Sequence, residues 1–486
     1  MATELYGVEA RLVDSIASTP VSTDTNVIFI GACAKGELNK AHLITSMADY
    51  NTKLGGEPGD GYNLTEAAIA AFSIAGINRV YMIPVSNSTE FDADDYIGDA
   101  ELFTGVYAIE NLLRENPTAV NILCAPSISD SSVIEALNTI AKKADGHWVS
   151  FMVYDVSEYS EQLNEANAVN VDAVVKDKQL NDELADAVWG HVKTSGGYFV
   201  SGAAVRACLM AKSDANYGVP ARCGGNLAIP GIQGIACDNS RGLAHTVAKS
   251  NYSPTITFTL TEDGFTDYNG TLRCSVILWN GSAPEYPLSV SQDVTFTDGE
   301  GVLTWTPTER VTPAIANYKD DTVYYGGFAA VILTESAATQ LSADGICSYI
   351  NYGGGNWHTW GDHTSAFTNG GVSDERARFD NTIRMNIMIT NRFQLKYRFE
   401  IDNPMTLQMR NDVINEELDY LNGLVSIGAL IGEPVVMFKA EDNGPDQVAQ
   451  GHFTWETQDT PTIPAKYMLS KVAYTQAGLS VYTQAE

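Results

Sequence analysis

Apolar and polar positions change period along the chain, and the changes mark out its parts. From Leu5 to Val13, Tyr6, Val8, Ala10 and Leu12 alternate with Leu5, Gly7, Glu9 and Arg11, and the stretch then runs into the polar SIASTPVSTDT. This pattern predicts a single strand with no hairpin partner nearby. From Tyr467 to Tyr482 the chain alternates again, with Met468, Val472 and Tyr474 on one face, behind the Pro-punctuated DTPTIPA. Both ends are therefore expected to be strands on tethers.

Between the ends, Asn26–Gly31 is a continuous apolar strand, and Asn63 and Glu66 supply a capping-box-like start to a helix over 63–75. Val80–Val85 is the next buried strand. The alternation continues with helix 104–114, strand 120–124, helix 132–144, strand 148–154, helix 182–193, strand 197–200 and helix 202–211. Strands alternating with helices in this order predict a doubly wound, parallel α/β domain.

Near Ser253 the texture shifts to short β-branched runs separated by Asp-Gly, Asn-Gly and Gly-Ser turns, as in TITFTLTEDG and DVTFTDGEGVLTWTPT. These predict a small antiparallel β-domain. FAAVILT at 328–334 resumes the α/β character, so the β-domain is expected to be inserted in a surface loop. A helix over 404–424, entered through Asn403-Pro404, then leads into a compact α+β region. The expected organisation is an N-terminal arm at 1–22, an α/β domain at 23–252 with its return segment at 326–372, the insert at 253–325, a C-terminal α+β domain at 373–465 and a C-terminal arm at 466–486.

At 486 residues the chain exceeds what one core usually organises, which agrees with several domains. Its 29 Lys plus Arg face 60 Asp plus Glu, and the net charge of -31 would repel a polyphosphate, so nucleic acid is not an expected partner. No apolar run is long enough for membrane insertion. The seven cysteines are scattered, with no CxxC spacing, and are expected to be reduced, mostly buried thiols.

Candidate chemistry is sparse. His358, Asp362 and His363 lie close together in NYGGGNWHTWGDHTS and could together hold a metal, but packing of a Gly-rich loop by Trp357 and Trp360 is the stronger expectation. Gly55, Gly56, Gly59 and Gly61 lack a GxxxxGK[ST] frame, and Glu57 and Asp60 would repel phosphate. Asp155 ends an apolar strand and Ser201 opens a helix, the placement of a serine-hydrolase pair, yet no histidine segment of that type accompanies them. No catalytic residue, metal or cofactor is expected. Arg376, Arg378, Arg384, Arg392, Lys396 and Arg398 form a basic stretch in an acidic protein, to be read either as local ion pairs or as a partner-facing patch.

Several blocks stand out: HLITSMADYNTKLGG with LTEAAIAAFSIAGINRVYMIPV, then DANYGVPARCGGNLAIPGIQGI, ADGICSYINYGGGNWHTWGDHTS, the segment 379–432 closing in GALIG, and GHFTWETQDTPTIPAKYMLSKVAYT. Together they resemble the contractile phage tail sheath family of myophages, R-type bacteriocins and related injection systems. Asp362-His363-Thr364 stands where that family usually carries an Arg-Thr pair. The blocks cover most of the chain outside 253–325.

The resemblance implies a subtilisin-like α/β domain without protease chemistry. It further implies a helical homo-polymer around a tail tube, with baseplate and tail terminator proteins as partners, in a virion tail or injection particle assembled in the bacterial host cytoplasm. In such a polymer the end strands would complete neighbours' sheets, through Leu5, Tyr6, Val8, Ala10 and Leu12 at one end and Met468, Val472, Tyr474, Leu479 and Val481 at the other. Arg392, Lys396, Arg398 and Arg410 are the expected tube-facing residues. Contraction would be a switch between lattice packings that needs no nucleotide. The rival readings are a serine-type hydrolase using Ser201 and a surface-binding module centred on the insert.

Overall fold

The computed structural model describes residues 25–482 apart from 57, 59–60, 145, 159–161, 165–166, 239–240, 244, 250–252, 262–265, 281–287, 309–310, 313–315 and 326–327. The expected strand at 5–13 lies outside the described residues.

The chain runs through β1 (Asn26–Ala32), β2 (His42–Ile44), α1 (Met47–Lys53), α2 (Asn63–Ala68), β3 (Val80–Ser86), α3 (Ala93–Ile97), α4 (Ala108–Glu115), β4 (Asn121–Cys124), α5 (Ser131–Lys143) and β5 (Phe151–Asp155). It continues through α6 (Val171–Lys176), β6 (Ala185–Val188), β7 (His191–Thr194), β8 (Phe199–Val200), α7 (Gly202–Tyr217) and β9 (Ile232–Asp238). All seven residues of β1 are buried, as its unbroken apolar run requires of a strand covered on both faces. Val27 and Phe29 pack with Leu64, Ala204 and Cys208 on one side of the sheet, and Ile28 and Ile30 pack with Ile109, Leu112 and Leu137 on the other. Each fully buried side chain of this size contributes about 1.5–3 kcal/mol.

The expected helix over 182–193 is replaced by β6 and β7. Its residues do not separate into apolar and polar helical faces. Leu184, Ala185, Ala187 and Val188 are buried, and so is Asp186 between them, because β6 sits inside the main sheet and Arg206 of α7 neutralises the carboxylate.

The insert comprises β10 (Arg241–Leu243), β11 (His245–Lys249), β12 (Thr255–Leu260), β13 (Gly270–Asn280), β14 (Leu288–Thr297), β15 (Glu300–Thr304) and β16 (Ala316–Tyr325), in the spatial order β10-β16-β13-β14-β15-β12-β11. The outermost strands, β10 and β11, are separated in sequence by residue 244 alone, so the antiparallel sheet curls back toward its own beginning. Ile256, Phe258 and Leu260 point to its core with Leu272, Cys274, Val276, Phe296 and Trp305, while Thr255, Thr257 and Thr259 face outward. Asp298 and Gly299, at φ 48 and 74, make the tight β14–β15 turn in the left-handed region that suits the strand twist. The sheet begins at Arg241, ahead of the expected boundary at 253, since β10 and β11 lack the alternation that marks the later strands.

After β17 (Phe328–Ala330) come α8 (Glu335–Ala343), β18 (Ile346–Asn351), β19 (Trp357–Trp360), α9 (Asp380–Tyr397), α10 (Leu407–Ser426), β20 (Val435–Met437), α11 (Pro445–Ala449) and β21 (Glu456–Gln458). The main sheet has the order β19-β18-β6-β5-β4-β1-β3-β2. Its inner pairings are parallel, and β2 and β19 run antiparallel at its two margins. A smaller sheet has the order β17-β9-β7-β8, and β20 and β21 form a two-stranded ribbon. The architecture is thus mixed α/β, with a large mostly parallel sheet and smaller antiparallel ones.

The chain divides into two compact units, residues 1–413 and 414–486. Helix α9 belongs with the first, although the sequence pattern assigned it to a C-terminal domain opening at 373. Buried polar contacts hold it there: Arg384 to Asp214 at 2.7 Å, and Asn391 Nδ2 to the Ala119 and Val149 carbonyls at 3.0 and 2.7 Å.

Candidate functional site

In the second unit, β20 and β21 pair antiparallel as Val435↔Gln458, Val436↔Thr457 and Met437↔Glu456. Asn443 closes the connection between them, donating to Thr454 O at 2.8 Å and accepting from Thr454 N at 2.7 Å. Lys439 pairs with Glu456, and Phe438 lies 5.5 Å from Trp455 and 6.5 Å from Phe453, ring centre to ring centre. Two strands of three residues make a marginal sheet by themselves. Val435, Ile431 and Ile463 nevertheless stay exposed at 39%, 48% and 62%, an apolar surface beside a very short ribbon. The sequence pattern marked this region only as compact α+β. The runs PVVMF and FTWET were the available signal.

The chain leaves the ribbon through residues 460–462, which are stitched to the turn after α10: Ile431 N donates to Thr460 O at 2.9 Å, Thr462 N to Ala429 O at 3.0 Å, and Thr462 Oγ1 to Gly428 O at 2.7 Å. Beyond this point the apolar side chains turn outward. Tyr467, Met468, Val472 and Tyr474 are 80–92% exposed. Leu479 is half exposed, and Leu479 and Val481 lie in a closing 3-10 turn, Ala477–Tyr482. The expected strand at 467–482 is not formed within the single chain, because a strand requires a ladder partner and the described part of this segment has none. Leu5, Tyr6, Val8, Ala10 and Leu12 lie outside the described residues.

No family model matches the sequence, and no curated protein matches it by sequence. Solved structures do match in fold. A chain of the anti-feeding prophage (AFP) baseplate superposes with a TM-score of 0.57 at 13% identity, over 98% of this chain and 99% of that one. A chain of the PVC sheath complex of an extracellular contractile injection system, in its contracted state, gives 0.57 and 13%, over 99% of both chains. The fold is that of a contractile sheath chain.

Within this sheath fold the basic stretch separates into two parts. Arg376 pairs with Glu183 and Asp374 at 3.1 and 3.3 Å, Arg378 with Glu375 at 2.6 Å, and Arg384 is fully buried against Asp214. These three are internal ion pairs. Arg398 is exposed and stacks over Phe399 at 4.6 Å, while Arg392, Lys396 and Arg410 are half-buried. Phe399, Ile401 and Leu407, each 74% exposed, lie beside them in sequence.

The chemical readings dissolve into packing. His363 stacks on Phe367 at 3.8 Å and on Phe379 at 5.3 Å, with Nδ1 3.0 Å from Arg378 O, whereas His358 sits on β19 in edge contact with Tyr352. Among the described residues no group of three or more His, Cys, Asp or Glu is arranged to hold a metal. Ser201 is fully buried, and its hydroxyl donates to Asp155 Oδ2 at 2.6 Å and accepts from Ala204 N at 3.0 Å. It is the N-cap of α7, and a hydrolase built on it would have no room for substrate. Among the described residues no helix is long and apolar enough to cross a membrane.

Proposed function

We propose that this chain is the subunit of a contractile sheath, a structural protein that polymerises helically around a tube and contracts to drive the tube through a target envelope. The observation that carries the proposal is the fold shared, over nearly the whole of both chains, with the PVC sheath complex. On this reading the α/β part of the first unit is a subtilisin-like scaffold, the particle is a phage tail, bacteriocin or related injection machine, and the partners are further copies of the chain, a tube protein, and baseplate and terminator proteins. Arg392, Lys396, Arg398 and Arg410 would face the tube.

The joint of the lattice would be strand addition. An outward-facing apolar segment on a stitched tether is an aggregation hazard unless it is meant for a neighbour. A very short ribbon with exposed apolar residues is the matching receptor. Residues 467–475 of one copy would extend the β20–β21 ribbon of another, and the arm at the other end would act likewise. About five ladder hydrogen bonds at roughly 0.5–1.5 kcal/mol net each, plus the burial of Tyr467, Met468, Val472 and Tyr474, would hold subunits together while the tether lets them rotate. Electron microscopy of the purified protein tests the proposal. Hollow helical tubes are expected on concentration, and a discrete oligomer of fixed size would overturn it.

A further inference from the structure

Ser127, in the turn after β4, has its Oγ 3.0 Å from His191 Nε2, and His191 Nδ1 is 3.0 Å from Glu158 Oε1. A hydroxyl, an imidazole and a carboxylate in series is the arrangement that activates a serine nucleophile. The sequence pattern pointed to Ser201, but Ser127 is the serine the fold brings to a histidine. It lies at the carboxyl ends of the parallel strands, where α/β folds place their ligand crevices. It also borders a cavity of about 590 Å³ lined by Phe91, Ser129, Asp130, Lys176 and Gln179, large enough for a small organic molecule. Ser127 holds φ 57, a left-handed conformation unusual for serine, and its N–H donates to Asp155 Oδ2 at 2.8 Å.

The same surroundings hold the series closed. Glu66 Oε2 accepts from Ser127 Oγ at 2.6 Å and from Ser201 N at 2.8 Å, drawing the hydroxyl proton away from the imidazole. Burial alone would lower the His191 pKa, but the carboxylates of Glu158, Glu66 and Asp155 outweigh it and raise it to about 10. At neutral pH the ring is therefore an imidazolium that donates from both nitrogens, and it has no lone pair with which to take a proton from Ser127.

We propose that Ser127, His191 and Glu158 form a latent serine-nucleophile site, held off by Glu66, that reacts with small esters or phosphonates once His191 is neutral. In that state Ser127 Oγ bonds to the acyl carbon or phosphorus and its proton passes to His191 Nε2. The bond to the leaving group then breaks, an alkoxide departing with that proton and a fluoride departing without it. For an ester, water releases the acyl group by the same route in reverse.

The test is labelling of the full chain by a fluorophosphonate, with the adduct mapped by peptide mass spectrometry. Labelling at Ser127 should rise about tenfold per pH unit between pH 7.5 and 9.5, following the neutral fraction of His191. Glu66→Gln is isosteric and takes away one of the carboxylates that raise the His191 pKa, so a larger fraction of the ring is neutral at pH 7.5. That variant should label at least tenfold faster than wild type at pH 7.5, and Ser127→Ala should abolish the adduct. If Glu66→Gln does not fold, the wild-type pH profile decides alone. Absence of label at Ser127 in protein shown folded by circular dichroism up to pH 9.5, or label on another serine, overturns the proposal.

Discussion

Arg206 Nη2 donates to Asp380 Oδ2 across 2.8 Å, with both side chains fully buried, and so joins α7 to the first turn of α9. The guanidinium also donates in three further directions: to Asp186 of β6 at 2.7 Å and to the carbonyls of Gly224 and Gly361 at 3.0 and 3.1 Å. Gly224 N in turn donates to Asp380 Oδ2 at 2.8 Å. One side chain thus links segments that lie far apart in sequence, and it does so in an interior where an unpartnered charge is costly.

Removing one member of that set should be severe. Arg206→Ala leaves Asp186 buried without its ion-pair partner and Asp380 with Arg384 alone, at 3.6 Å, and chemical denaturation should show a loss of about 3–5 kcal/mol. A midpoint within experimental error of wild type would mean that water or rearrangement satisfies both carboxylates.

Stability should fall as the solution becomes alkaline. His191 is raised from 6.5 to about 10, so the stabilisation tied to its proton is complete below 6.5 and is lost as pH rises through 10. Glu66, pushed from 4.5 to about 7 chiefly by burial, adds a contribution that is complete below 4.5 and lost as pH rises through 7. In both cases the folded chain binds more protons than the unfolded one, so the denaturation midpoint should decline between pH 6 and pH 10. His191→Gln should flatten the upper part of that decline.

Truncation at 466 should separate folding from assembly. Residues 467–474 carry apolar side chains that are mostly exposed within the single chain, so their removal should leave the melting temperature of the monomer nearly unchanged while abolishing tube formation. Val472→Pro should act in the same direction, because proline removes a ladder donor. Tubes of normal appearance from either variant would exclude this segment as a joint.

The insert should be dispensable for the fold of the rest. Asp238 of β9 pairs with Phe328 of β17, so the insert leaves and re-enters the first unit at adjacent positions. Replacing residues 241–325 by a short Gly/Ser linker should preserve far-UV circular dichroism of the α/β part and tube formation. Loss of tubes from a folded deletion variant would assign the insert to the lattice.

The sequence by itself determined the elements whose pattern is local. NVIFIGA, the helix that opens at Asn63 and the Asp-Gly hairpin at Asp298 each carry their periodicity or turn chemistry within a few residues. What only the tertiary structure decided depends on partners distant along the chain. Residues 182–193 became strands because Asp186 is neutralised by Arg206 from another element. Helix α9 stayed with the first unit because Asp380 and Arg384 are buried against α7, and Ser127 rather than Ser201 met a histidine because the ends of β4 and β7 converge. The strand pattern at 467–482 shows the converse limit: alternation favours a strand, but without a ladder partner the single chain does not form it.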